Sequence, residues 1–418
     1  MATKTVHLSE LRRAALLDPK GERLGRLKDV IVRLGDEDHP PVSGLKVRIG
    51  GRDLFLPLGE VAELEAGRVQ LKSAKLSLDR FARREGEVLL VEDVLGRSLV
   101  FVGGEPPRLV RADDLVLGWE EGGLRLVGVV SGFAARLRRL PIPLPLPSKP
   151  KQVIDWREID PFLDHVPTLR RRLAHRKLAR LHPAEIADLV EAASPSEGEE
   201  IIRSLESNQE LAADVFEELA PARQLALLSQ RSDGEVAEMV ARMAPDDAAD
   251  LVEELEQGRR RKVLELLPAA KRRRLERLLG FNPATAGGLM NPEVVVVDRL
   301  RTVGEAIGVV RSAELPPACA AVLFLHDEDG RYAGSVDAVT LLRADPNQRV
   351  GELVQGEPVA VRADAEVPQV AKTMADYNLI SLPVVDNDGR LLGAVSVDDV
   401  LELTIPEDWR RRYGVVRE

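Results

Sequence analysis

Acidic side chains recur at helical spacing in two parts of this sequence. Asp246, Asp247, Asp250 and Glu253 stand at i, i+1, i+4 and i+7 of one run, which sets Asp246, Asp250 and Glu253 on roughly one helix face. Asp398, Asp399 and Glu402 open a second run, and Asp337 follows a similar hairpin further upstream. Carboxylates in such sets are hard oxygen donors; with water completing an octahedron they suit Mg2+. The same residues also serve a helix start on its own account, because Asp and Glu in a first turn complement the dipole and cap exposed N–H groups. Both readings stay open at this point. No Walker loop, Ser/His/Asp set or His-Glu-x-x-His occurs, and the six histidines show no metal-ligand spacing, so no enzyme chemistry is expected.

Composition narrows the partners. The 418 residues carry 59 Lys+Arg against 69 Asp+Glu, a formal charge of −10, which argues against a general binder of nucleic acid or anionic membrane. The basic runs Arg170–Arg172, Arg259–Lys262 and Lys271–Arg274 read as solvated helix faces, and aromatic residues at 3% leave few platforms for stacking bases. The longest nearly apolar stretch, Leu315–Leu325, is far short of the ~20 residues that cross a bilayer. The N-terminus has no apolar segment of the export type, so a cytoplasmic location is expected. The one cysteine, Cys319, excludes an internal disulfide and sits in a strand-like apolar run as a core thiol.

The elements that must position these acids fall into three regions. Residues 1–140 read as short strands between Gly turns: Leu24–Leu34, Val42–Ile49, Asp53–Leu58, Val69–Leu71, Glu87–Val91, Ser98–Val102, Leu109–Leu117 and Leu124–Val129. A short repeat lies inside this region, Arg23-Leu-Gly-Arg-Leu-Lys-Asp29 aligning with Arg108-Leu-Val-Arg-Ala-Asp-Asp114, so two small barrels or two halves of one are expected. Alternate prolines over Pro141–Pro150 predict an extended spacer between separable halves, the linker spanning 141–152. From 153 to 280 the apolar residues take helical spacing, and prolines at 183, 195, 221, 245 and 268 mark helix starts of a superhelical stack. Residues 281–405 form a tandem α/β repeat, because Asp327-Glu-Asp-Gly-Arg-Tyr-Ala-Gly334 matches Asp386-Asn-Asp-Gly-Arg-Leu-Leu-Gly393.

Three resemblances follow from these motifs. The aspartate set before a strand's apolar run resembles the PRC-barrel family, which implies a docking role for 1–140 and an unidentified protein partner there. Leu382-Pro-Val-Val-Asp…Gly389-Arg-Leu-Leu-Gly-Ala-Val-Ser396-Val-Asp-Asp399, in tandem with the earlier copy, resembles a pair of CBS domains at 281–345 and 346–405, with a tail at 406–418. Helical repeats running through Phe281-Asn-Pro-Ala-Thr-Ala-Gly-Gly-Leu-Met290 into that pair look like the cytosolic part of the MgtE magnesium transporters, over about 155–405. The fold class expected is therefore multidomain: a β-barrel-like N-terminal region, an all-α superhelical middle and an α/β CBS pair.

Function follows as an expectation. Where relatives of that family continue into a pore, this sequence runs into Thr404–Glu418, so a sensor without a pore is expected. The family resemblance implies that acids on the helical domain and on the CBS pair face each other, with Mg2+ drawing them together. It also implies a homodimer through the CBS pair. CBS pairs that bind ATP, ADP or AMP commonly use Gly-x-x-Ser/Thr-x-x-Asp, hydroxyl to phosphate and carboxylate to ribose; Gly393, Ser396 and Asp399 fit that order. The first repeat has Gly334, then Asp337 for the hydroxyl and Thr340 for the acid, so one nucleotide site per chain is expected. A regulatory protein sensing Mg2+ and an adenine nucleotide is the leading reading. A non-sensing adaptor is the alternative, and an RNA-processing accessory a more distant one.

Overall fold

Two aligned aspartates organise the N-terminal region. The computed structural model describes residues 5–35, 37–73, 79–104, 106–132, 153–160, 177–205, 208–315 and 317–405. The chain divides into two compact units, Met1–Leu219 and Ala220–Glu418. In the first, β1 (Thr5–His7) and α1 (Leu8–Leu11) lead into β2 (Ala15–Leu17), β3 (Arg23–Arg33), β4 (Val42–Ile49), β5 (Arg52–Pro57), β6 (Val61–Glu65) and β7 (Arg68–Leu71). A second half repeats the start, with β8 (Glu87–Leu89) and a π-helical turn Leu90–Val94, then β9 (Ser98–Phe101), β10 (Arg108–Arg111), β11 (Asp114–Glu120) and β12 (Gly123–Val130).

The halves exchange their first strands. β1 pairs with β11 of the second half, Val6 opposite Leu117, while β8 pairs with β3 of the first, Val32 opposite Val88. Asp29 on β3 accepts from its own neighbour Val30 N (2.8 Å) and from Val91 N (2.7 Å) and Glu92 N (3.0 Å) in the other half's turn. Asp114 on β11 mirrors it, accepting from Leu115 N (2.9 Å) and from Ser9 N (3.0 Å) and Ser9 Oγ (2.6 Å) on α1. Each aspartate thus clasps the opening helical turn of the other half, and one core containing Leu11, Val30, Leu45, Leu90, Leu115 and Leu126 runs through both. The described strands run β5-β4-β3-β2-β7-β6 with β8 on β3, β1-β11-β12 and β10-β9, the last two sheets each gaining one further strand from beyond residue 150, and none closes on itself. The barrel expectation is corrected accordingly, because each half closes on its neighbour rather than on itself. The strand expected over Leu109–Leu117 is two, β10 and β11, and the one expected over Glu87–Val91 stops at Leu89 where the π turn begins.

The chain returns to this region after the proline-rich segment. The Pro141–Pro150 spacer lies outside the described residues, but β13 (Val153–Asp155) pairs with β12 and β14 (Ile159–Asp160) with β9, burying Ile154, Trp156 and Ile159 in the β core. Residues 153–160, expected to open the helical region, therefore complete the sheets. This changes the outcome expected of proteolysis. Trypsin cutting at Lys151 should leave fragments that co-elute on native size exclusion, since the C-terminal piece keeps two strands and three apolar anchors in the N-terminal sheets. Separation of the fragments without denaturant would contradict the pairing.

Proline punctuation builds the helices. In the first unit α2 (Pro183–Ala192) packs on α3 (Pro195–Ser204) and α4 (Gln209–Glu217). In the second, α5 (Pro221–Leu228) packs on α7 (Pro245–Glu254), α6 (Asp233–Arg242) on α8 (Gln257–Leu266), and α7 on α9 (Ala269–Leu278). This alternation stacks short helices of eight to ten residues. Prolines 183, 195, 221 and 245 stand at first helical positions, where a missing N–H costs nothing; Pro268 sits one residue earlier, at the N-cap. His182 caps α2 by accepting from Ala184 N at 3.3 Å.

The α/β repeats follow as α10 (Ala286–Leu289), β15 (Val295–Asp298), α11 (Val303–Ser312), α12 (Pro317–Ala320), β16 (Val322–His326), β17 (Tyr332–Asp337) and α13 (Ala338–Arg343), then β18 (Val361–Arg362), α14 (Val367–Tyr377), β19 (Ser381–Val385), β20 (Leu391–Ser396) and α15 (Val397–Thr404). Each sheet has one parallel and one antiparallel pair: β15-β16-β17 and β18-β19-β20. The two sheets fall on either side of 345/346, while their lead-in segments cross it. Ala286 N and Gly287 N donate to Ala365 O and Ala363 O of the second repeat, whereas Val350 N and Gly351 N donate to Arg301 O and Arg299 O of the first. Lead-in segments are exchanged here too. Among the described residues no helix is long and apolar enough to cross a membrane.

Candidate functional site

A loop after α10 joins the helical stack to the second repeat. Asn291 forms a two-way bridge with Ala394 on β20, N to O at 2.9 Å and O from N at 3.0 Å. Gly393 is required beside it: a Cβ there would lie 2.5 Å from the Asn291 carbonyl oxygen. So fixed, Asn291 turns its amide to Asp246 Oδ1 at 3.2 Å, at the start of α7. Its Nδ2 also lies 3.9 Å from Cys319 Sγ.

Cys319 is half-buried on the short α12, not in a strand as expected, because Pro317, which opens that helix, has no N–H to give a ladder. Burial pushes its thiol up to about 11, and the carboxylates of Asp246, Glu293, Asp399 and Asp398 push the same way. Acids from α7, from the 291–293 loop and from α15 therefore share one neighbourhood. Glu293 is paired there with Arg274 of α9. Glu293 has no helix-start spacing to mark it in the sequence; its one signal is its place two residues after Asn291.

The other expected ligands are placed differently. Asp247 is half-buried and Asp250 and Glu253 are exposed on α7. The Glu402 side chain lies outside the described residues. Asp337 caps α13, accepting from Val339 N (3.0 Å), Thr340 N (2.9 Å) and Thr340 Oγ1 (2.6 Å), which holds its carboxyl below the usual range. Among the described residues no three His, Cys, Asp or Glu are grouped as a metal sphere. Hydrated Mg2+, which keeps several of its waters, needs fewer direct ligands than such a sphere.

The nucleotide triad shows the same double use. Ser396 caps α15 and Asp399 sits three residues on: Ser396 Oγ donates to the Asp399 carboxylate, which also accepts from Ser396 N at 3.3 Å. Equivalent positions in the first repeat exchange the roles, Asp337 accepting where Ser396 donates and Thr340 donating where Asp399 accepts. One local bond, made by inverted partners, starts both helices.

Comparison with known proteins agrees with this architecture. The MgtE intracellular N domain matches residues 181–284, and the CBS domain matches 350–405. Over 195 residues the chain is 34% identical to the magnesium transporter MgtE of Thermus thermophilus, covering 46% of this chain and 43% of that protein. It is 24% identical to MgtE of Bacillus subtilis over 194 residues, again 46% and 43% of the two chains. The chain thus spans less than half the length of these relatives. Among solved structures, the cytosolic domain of the Mg2+ channel MgtE in complex with ATP superposes with a TM-score of 0.50 at 31% identity, covering 56% of this chain and 94% of that one. The soluble part of a magnesium transporter gives 0.50 at 24%, over 56% and 91%, a likeness of fold. The chain carries an MgtE intracellular N domain and a CBS domain, homologous to the cytosolic domain of MgtE magnesium transporters.

Proposed function

We propose that this protein is a cytoplasmic regulatory module that senses Mg2+, with an adenine nucleotide as second ligand, and passes its state to a partner. The single observation that supports it best is the junction at Asn291, whose amide holds Asp246 of α7 while its backbone bridges Ala394 on β20, just before Asp398 and Asp399 open α15. Helices and CBS pair bring like charges together there, and hydrated Mg2+ would relieve them. Asp246, Asp398 and Asp399 are its proposed holders, with Asp247 and Asp250 next on the same helix. The relative's complex with ATP supports the nucleotide. Gly393, Ser396 and Asp399 would take it, Asp399 leaving its cap bond with Ser396 for the ribose. A homodimer through the CBS pair belongs to this reading: Leu342 on α13 and Leu401 on α15, at equivalent places in the repeats, are 69% and 50% exposed. The β region is proposed as the docking module for the partner.

Calorimetric titration of the full chain with MgCl2 and then ATP tests this. Binding of Mg2+ and one ATP per chain is expected, with ATP binding abolished in Asp399→Ala. Asp337→Ala removes the corresponding cap at a cost of about 1 kcal/mol and should leave ATP binding intact. Two equivalent ATP sites per chain would contradict the asymmetry of the repeats. Absence of binding heat with both ligands would leave the adaptor reading, in which the Ser396–Asp399 bond is a helix cap alone.

A further inference from the structure

Cations gather on one face of β3 and β4. Arg26 and Arg48 are direct cross-strand partners, an arrangement of like charges that destabilises a sheet. Lys46 stands two residues from Arg48 on the same face, and Lys28 occupies the irregularity between Leu27 and Asp29. Burial holds the Lys28 ammonium below its usual range, and so does repulsion from Arg48, Arg26 and Lys46, against the pull of Asp53. Asp53 on β5 takes Arg48 through two bonds, at 2.6 and 2.8 Å, and Glu92 lies 3.4 Å from Lys46. Arg84 extends the patch, 4.7 Å from the Phe55 ring on β5. Among the described residues Arg26, Lys28, Lys46, Arg48 and Arg84 thus gather here with the carboxylates of Asp53 and Glu92 beside them, in a chain whose net charge is −10.

We propose that this face docks an acidic polypeptide segment in extended form, its carboxylates at alternate residues. This deepens the docking role of the β region and rests on it. Same-face residues of a strand repeat at roughly 6.7 Å, so alternate acids of an extended segment match the step from Lys46 to Arg48. Nucleic acid fits less well. The rings that would stack bases are already covered, Phe55 by Arg84 and Phe81 by Lys46 at 4.8 Å.

Fluorescence anisotropy of the full chain tests this with a labelled peptide of alternating Glu and Thr, about ten residues long, and a labelled uridine strand of about 20 nucleotides. The peptide should bind at about 50 mM salt and weaken roughly tenfold at about 300 mM, as screening requires. Arg26→Glu with Lys28→Glu should weaken it by a further tenfold or so, at about 1.4 kcal/mol. Arg26→Gln should also weaken binding while melting no lower than the parent, since it removes a repulsion; this separates lost contact from lost fold. Peptide affinity unchanged by these substitutions overturns the surface and leaves docking elsewhere on the β region standing. No peptide binding at low salt, or tighter binding of the uridine strand, overturns the proposal.

Discussion

Cutting either aspartate clasp of the β region is expected to destabilise it by about 3–5 kcal/mol, and the two cuts should respond differently to pH. In Asp114→Ala, Ser9 N, Ser9 Oγ and Leu115 N lose a fully buried acceptor. In Asp29→Ala the losers are Val30, Val91 and Glu92 N. Each orphaned donor costs about 1–3 kcal/mol. The carboxyl of Asp114 lies below the usual range: burial pushes it up, but His7, both Ser9 donors and Leu115 outweigh that. Its contribution is therefore present above the unfolded value and lost only as acid protonates the folded form. Asp29 goes the other way, up to about 7, because burial outweighs its three backbone donors. Between the unfolded value of 3.8 and about 7 the folded state holds the extra proton, so stability falls as pH rises through that window. The cost of Asp29→Ala should then shrink by about 3 kcal/mol from pH 5 to pH 8, at 1.4 kcal/mol per tenfold in proton affinity, while the Asp114 carboxyl, ionised throughout, adds no such window of its own. Urea unfolding followed by fluorescence of Trp119 and Trp156 measures both; equal pH slopes would refute the assignment.

Local chemistry was legible in the sequence, and long-range exchange was not. Prolines at first helical positions and Ser or Thr three residues before an acid give helix starts by bonds that close within four residues. The strand Val42–Ile49 and the helix Val367–Tyr377 fall where alternation and helical spacing put them. The Asp-x-Asp-Gly-Arg hairpins are equally local: Asp327 and Asp386 each accept from the amide four residues on, at 2.8 Å. The repeat of Asp29 and Asp114 was visible as a pattern, but each reaches a turn far away along the chain, and no spacing names that partner. Strands of two or three residues such as β13 and β14 carry too few alternations to read. Cys319 misled because an apolar run looks strand-like even where Pro317 has no N–H to give a ladder. Of the proposed site residues, Asp246 and Asp399 stand out in the sequence by type and spacing. Asn291 and Glu293, which join α7 to β20, lie in a loop whose role depends on a bridge to Ala394, in the other repeat.

Millimolar Mg2+ is expected to shrink the protein relative to EDTA, measured as radius of gyration by small-angle scattering at constant ionic strength. Asp246 on α7 and Asp398 and Asp399 on α15 all push the thiol of the half-buried Cys319 up, while Glu293 is already paired with Arg274. Like charges brought together in a half-buried setting repel by some kcal/mol at an effective dielectric of about 20. Repulsion of Asp246 from Asp398 and Asp399 opposes the Asn291–Asp246 bond, worth about 1 kcal/mol, so without cation the helices should part more readily from the CBS pair. A divalent ion held only between them shifts the population by its differential affinity for the joined form. Asp246→Asn with Asp398→Asn should therefore keep the smaller radius in EDTA, because removing charge does what the cation does, while the amide oxygen introduced in place of the Asp246 carboxylate can still accept from Asn291. Asp247→Asn with Asp250→Asn, further along the same helix, should act in the same direction and less. A parent radius unmoved by Mg2+ would end the sensor reading. An unmoved radius in the charge-removed pair alone is what the sensor requires, since that variant has lost the repulsion the ion exists to cancel.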